Sequence, residues 1–317
     1  MRKWSVVVTG ILAGAAVALG GAVSEQQIAA DAVWVVQLDV PAFMQSQLGA
    51  FVQQEAQKEH AQQKLAWLKE TCGLDPMKDI DAATLYGKTF QHGKGVALVR
   101  GRFSGDKLVG LLSANATHDK AVYGNSVIHT WTDEHSGKPC AGCIYAPDLL
   151  IMASSADDLK AAIDVLEGRA AGLRSGFVPA APAGMIVVAA AEDQTGALGA
   201  TPQAKMLQNA KRVTFMAGES AGNAQVTLCL TGKTEADAVN MEQVIQGMLA
   251  LATLAKDKNP QAAELAGAVR VTRQGQDVNA AMSYPAAKLI AQMQACKAQH
   301  QQMRQCHPSA PASAPAP

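Results

Sequence analysis

The chain of 317 residues carries 27 basic and 27 acidic side chains, a balance that excludes bulk attraction to nucleic acid or anionic lipid. Hydrophobic residues make up 49% and aromatic residues only 4%, which is apolar matter enough for about two ordinary domains. No run of Lys or Arg supplies a local polyanion site, so no nucleic-acid partner is expected.

Arg2 and Lys3 precede an uncharged apolar run from Trp4 to Val23, with Gly20, Gly21 and Ala22 near its end. Basic, then apolar, then small is the order of a secretory signal. Cleavage could follow Ala22, Ser24 or Ala30. Ala30 is the expected point, which makes residues 1–30 the signal peptide and the mature chain periplasmic or secreted. Removing it leaves 25 basic and 26 acidic residues, and no membrane partner is then expected. A retained anchor is the other reading, since about 20 apolar residues span a bilayer.

Residues 31–168 read as a first α+β unit. Val33–Leu38 is an apolar strand, and Asp39 can cap the helix that follows, with Pro41 tolerated in its first turn. Phe43, Met44, Leu48, Phe51 and Val52 form its buried stripe, and the polar run 53–64 is a solvated extension reaching Leu65–Leu68. Thr84–Phe90 and Gly95–Phe103 are strands flanking a glycine turn. Ser104 caps a helix carrying Leu108, Val109, Leu111 and Leu112. Tyr123–Thr132 and Ile144–Ser154 are further strands, the second turning near Pro147, and Ser155 caps a helix to Glu167.

Gly, Ala and Pro enrich 169–184, which reads as a linker. A second α+β unit then covers 185–306. Met185–Ala191 is a strand and 203–212 a short helix. Val213–Ala217 and Val226–Thr231 alternate with the period of a half-buried sheet. Thr234 and Asp237 have capping-box spacing, and Val244, Ile245, Met248 and Leu249 mark a buried stripe. Strands 269–273 and 277–282 precede a last helix from Pro285, and the Pro/Ala tail 307–317 is expected to be disordered. Two matches in pattern, Thr84/Thr214 with Leu98/Leu228 and 150–163 with 278–291, suggest duplication. The fold class expected is therefore α+β in two related halves, each a mainly antiparallel sheet packed with helices, after the signal segment.

Gly73-Leu-Asp75-Pro76-Met-Lys-Asp79 before the strand at Thr84, and Gly101-Arg102-Phe103 at the next strand's end, resemble a GxDPxxD turn and GRF strand end. Exported proteins of environmental bacteria share these features. The resemblance implies export and fold, and carries no function with it.

Six cysteines in an exported chain permit disulfides without fixing their pairing. Only Cys140-Ala-Gly-Cys143 has suggestive spacing, as a disulfide or redox candidate. No helix is expected to start at Cys143, as a thioredoxin-type pair requires, and Ile144 stands where c-type haem attachment needs His. His135 with Cys140 and Cys143 would give three of the four donors of a zinc or copper site. Cys296, His300, Cys306 and His307 form a looser cluster. Signatures for phosphate loops, nucleophile elbows and metalloproteases are absent from the sequence. No catalytic set and no cofactor are expected. The reading is an exported, non-enzymatic binding or structural module of the cell envelope, the alternative being a thiol-redox or metal-binding protein using Cys140 and Cys143.

Overall fold

The computed structural model describes residues 21–91, 93–134, 136–192 and 208–306, with side chains undescribed at 59, 60 and 298–306. The apolar run up to residue 20, the first half of the helix expected at 203–212, and the tail 307–317 lie outside these residues. The protein is α+β, and its strands form one antiparallel sheet. In chain order they are β1 (Trp34–Asp39), β2 (Ile80–Gly87), β3 (Val96–Gly101), β4 (Asp119–Tyr123), β5 (Ser126–Thr132), β6 (Pro139–Ala146), β7 (Leu149–Ala153), β8 (Met185–Glu192), β9 (Ala210–Ser220), β10 (Asn223–Gly232), β11 (Val269–Gln274) and β12 (Asp277–Pro285). Their order across the 12-stranded sheet is β11-β12-β10-β9-β8-β1-β2-β3-β7-β6-β5-β4. A separate sheet in each half was expected. Instead β8 pairs with β1, from Trp34 opposite Ala191 to Leu38 opposite Val187, and joins everything into one.

The helices are α1 (Val40–Gln45), α2 (Gln47–Ala56), α3 (Glu59–Cys72), α4 (Gly105–Ser113), α5 (Ala156–Leu166), α6 (Glu235–Leu254), α7 (Pro260–Gly267) and α8 (Ala286–Cys306). The long first helix of the sequence reading is broken into α1–α3. At Ser46 the backbone turns extended and the hydroxyl accepts from Gly49 N–H at 2.9 Å, capping α2 afresh. Asp39 and Ser155 cap α1 and α5 as expected, and Thr234 and Asp237 form a capping box on α6. Ser104 occupies the cap position of α4, but its hydroxyl makes no cap bond. The strand expected from Tyr123 to Thr132 is instead a hairpin, because Gly124 takes a left-handed turn (φ 59°) between β4 and β5. β9 already starts at Ala210, which ends the expected 203–212 helix early.

Alternation along the strands sorts side chains onto two faces. One carries Val36, Leu38, Leu85, Ala97, Val99 and Leu150, packed against α1–α4 through Phe43, Leu68 and Leu108. The other carries Val35, Tyr86, Leu98 and Ile151, packed against Leu159 and Ile163 of α5. A smaller cluster forms where α6 lays Ala238, Met241 and Ile245 over Leu230 and Val278. Leu98 and Leu228 were expected in equivalent positions, and they are not. Registers run Leu228–Phe215–Ala189–Val36–Leu85–Ala97, so Leu228 shares a face with Ala97 and opposes that of Leu98.

Two expected boundaries move. The segment 23–30 belongs to the folded body, so a signal ending at Ala30 would cut into it. Ile28 is fully buried, Val23 and Ala29 are buried, and Ala29 bridges to Gly172. Glu25 accepts from the N–H groups of Gly176 and Val178 at 2.9 and 2.7 Å. The stretch 169–184 is correspondingly packed: Leu173 and Phe177 are core residues, and Arg212 donates to the carbonyls of Gly176 and Phe177. Its Gly and Pro content shapes the backbone for close approach. A Cβ on Gly172 would stand 2.3 Å from the Gln26 carbonyl oxygen.

Candidate functional site

Cys140 and Cys143 both lie on β6, opposite Trp131 of β5 and Ile151 of β7 respectively. Residues three apart on a strand point to opposite faces, with their Cα atoms about 10 Å apart. A disulfide needs roughly 4.4–6.8 Å. The extended strand therefore separates the pair that the sequence placed together, and both thiols are free. Cys143 is buried in the α5-side core, and that burial pushes its thiol up to about 12. Burial foremost, then the nearby Asp133, raises that of Cys140. Neither has the electropositive surroundings that make a thiolate nucleophile. His135, the third donor considered, lies outside the described residues. Among the described residues no three or more His, Cys, Asp or Glu are grouped to hold a metal.

The β4–β5 hairpin instead brings together two histidines, His118 and His129, that no motif spacing in the sequence marks. His118 Nε2 and His129 Nδ1 are 2.9 Å apart, and the rings stack with centroids 5.2 Å apart and 11° between planes. Their separation of eleven residues spans the hairpin, so only its register could reveal the pairing. Thr132 N–H donates to Thr117 Oγ1 at 2.8 Å, and the Asn115 amide donates to the Thr132 carbonyl at 3.3 Å. Together these contacts fasten the loop between α4 and β4 onto β5. One imidazole donates to the other, the tautomer deciding which. Burial first, then His118 and Lys120, lowers the pKa of His129.

The GxDPxxD turn and GRF strand end form one knot. Asp79 Oδ2 accepts from Asp75 N–H, the Asp79 carbonyl accepts from Arg102 N–H at 2.7 Å, and the Arg102 guanidinium donates to the Lys78 carbonyl. A Cβ on Gly101 would lie 2.0 Å from the Asp79 carbonyl oxygen. These residues position backbone, and nothing in their geometry offers chemistry.

The surface feature that packing leaves unexplained is on α6. Its buried side is Ala238, Met241 and Ile245. Val244 and Met248, read from sequence as part of the buried stripe, are 38% and 36% exposed, while Leu251 is 68% and Leu254 79% exposed. The sequence shows α6 apolar nearly all round, which cannot distinguish the side that meets the sheet.

No family model matches the chain, nor does any curated protein. Solved structures that are similar include crystal form I of the treponemal protein TP0453, 8% identical, TM-score 0.45, covering 86% of this chain and 96% of that one. Crystal form III of the same protein is 10% identical, TM-score 0.46, with coverage of 86% and 98%. No helix among the described residues is long and apolar enough to cross a membrane.

Proposed function

We propose that this chain is an exported, non-enzymatic binding or structural module of the bacterial cell envelope, built of two related halves. The outer row of α6 carries the binding reading: Leu251 and Leu254 present apolar surface that a folded protein ordinarily buries. Export rests on the basic-then-apolar amino terminus. Among the described residues Val23 is the first that is buried, which favours cleavage after Ala22 over cleavage after Ala30. Strand order supports the two halves: outward from the β1–β8 pair it runs β1-β2-β3-β7-β6 on one side and β8-β9-β10-β12-β11 on the other. Thr84 and Thr214 fall on the same face, whereas the next strand matches one residue later, Leu98 to Cys229. β4 and β5 are then additions to the first half.

The opposite facing of Cys140 and Cys143 argues against a thiol-redox or metal role for them. The export reading is tested by fusing residues 1–40 to a reporter active only outside the cytoplasm, and by mass analysis of the exported chain. Active reporter and an amino terminus at Val23 are expected. An uncleaved chain that needs detergent overturns the reading in favour of an anchor.

A further inference from the structure

We propose that the outer face of α6 is covered by a second copy of this chain, the two α6 helices lying antiparallel about a two-fold axis beside Gly247. The proposal names the partner for the surface on which the binding reading rests. Along α6 the outward positions Asn240, Val244, Gly247, Leu251 and Leu254 recur at spacings of four and three, the seam of a paired helix. At 20 residues the helix is about 30 Å long, enough for a continuous seam.

Charge selects the partner. The helix starts with Glu235 and Asp237, and its exit carries Lys256 and Lys258 flanking Asp257. An antiparallel copy sets the acidic start of each helix against the basic exit of the other, and opposes the two helix dipoles. About an axis beside Gly247, Leu251 of one copy meets Val244 of the other. Among the described residues no heavy atom outside the helix's own backbone stands within 4 Å of a Cβ built on Gly247, so the backbones can approach closely there. A two-fold pairing is self-complementary and closes, as a homodimer requires. An anionic membrane would take the basic exit but repel Glu235, Asp237 and Asp257.

Sedimentation of the purified exported chain over a hundredfold concentration range tests this, with flotation on anionic vesicles and binding of an apolar-surface dye alongside. A mass twice that of the monomer is expected. Leu251→Glu with Leu254→Glu should make the chain monomeric throughout, while circular dichroism stays unchanged and melting matches that of the natural chain at dilutions where it too is monomeric, because both side chains are exposed in the monomer. Lys256→Glu with Lys258→Glu should weaken association at least about tenfold. Dimers that survive the double Leu variant overturn the α6 seam, and dimers indifferent to the Lys variant overturn the antiparallel arrangement. A monomer that binds dye overturns self-pairing but leaves the binding surface. A monomer that floats with vesicles replaces the partner with a membrane. A monomer that neither binds dye nor floats means the chain covers α6 itself, and then the binding reading also falls.

Discussion

The side-chain amide of Gln37 donates to the carbonyl of Val23 at 3.0 Å, tying the centre of the sheet to the first buried residue among those described. Gln37 is 6% exposed, so each group depends on the other for its hydrogen bond. A chain that starts at Val23 should melt cooperatively. One that starts at Asp31 loses Val23 and Ile28 from the core, about 1.5–3 kcal/mol each, and should melt roughly 10 °C lower or fail to stay in solution. Gln37→Ala in the longer chain should cost about 1–3 kcal/mol in denaturant unfolding. Equal melting of the two chains would show that the segment contributes nothing.

Thiol titration gives a second check, best made on a Cys306→Ser background at pH 8. Exposed Cys296 should react at once. Cys72, its thiol pushed up to about 11 by burial, and Cys143 should react only on unfolding. A Cys140–Cys143 disulfide in the purified protein, visible as a loss of two protons by mass, would require β6 to be rebuilt.

The His118–His129 pair predicts a pH dependence. His129 has a folded pKa below its unfolded value, so folding favours its neutral form. Its contribution is fully present above the ordinary histidine value of about 6.5 and is lost as pH falls from there through the folded pKa. Stability measured from pH 7.5 to 5 should therefore fall more for the natural protein than for His129→Gln. A parallel decline in both would remove His129 as the cause.

Leu98 and Leu228 should respond unequally to truncation. Leu98 is 1% exposed beneath α5, and Leu98→Ala should cost about 2–5 kcal/mol. Leu228 is half-buried at the margin of the α6 cluster, and Leu228→Ala should cost less than half as much. Denaturant midpoints at a shared slope would measure both, and equal losses would contradict the face assignment.

What could be read from the residues was the local grammar. Asp39, Ser155 and Thr234 announced helix starts because a cap bonds to amides two or three residues on. Alternation in Val226–Thr231 announced β10. What could not be read was long-range. Nothing near Val35 says that β8 will lie beside it, and nothing near Leu98 says which face it shares with a strand 130 residues away. Ile28 and Phe177 stand in small-residue stretches that look like a leader and a linker, yet each fills the core because the other stretch packs beside it. The thiol pair failed for the converse reason: nearness in sequence becomes separation across the sheet once the backbone is extended.

The amino-terminal strand of the sheet is also an inner one. β1 lies between β2 and β8, and its partners on the β8 side begin near residue 187. While the chain is still being synthesised, the first half can assemble β1 through β7 and α5 but must hold the far edge of β1 open. That edge is a row of unpaired amides and carbonyls, a template for any passing strand. The vulnerable period of this protein's folding therefore lasts until β8 arrives. A chain interrupted before Met185 should gather into aggregates or exchange strands with its neighbours, whereas one interrupted after Ser220 has already sealed the seam.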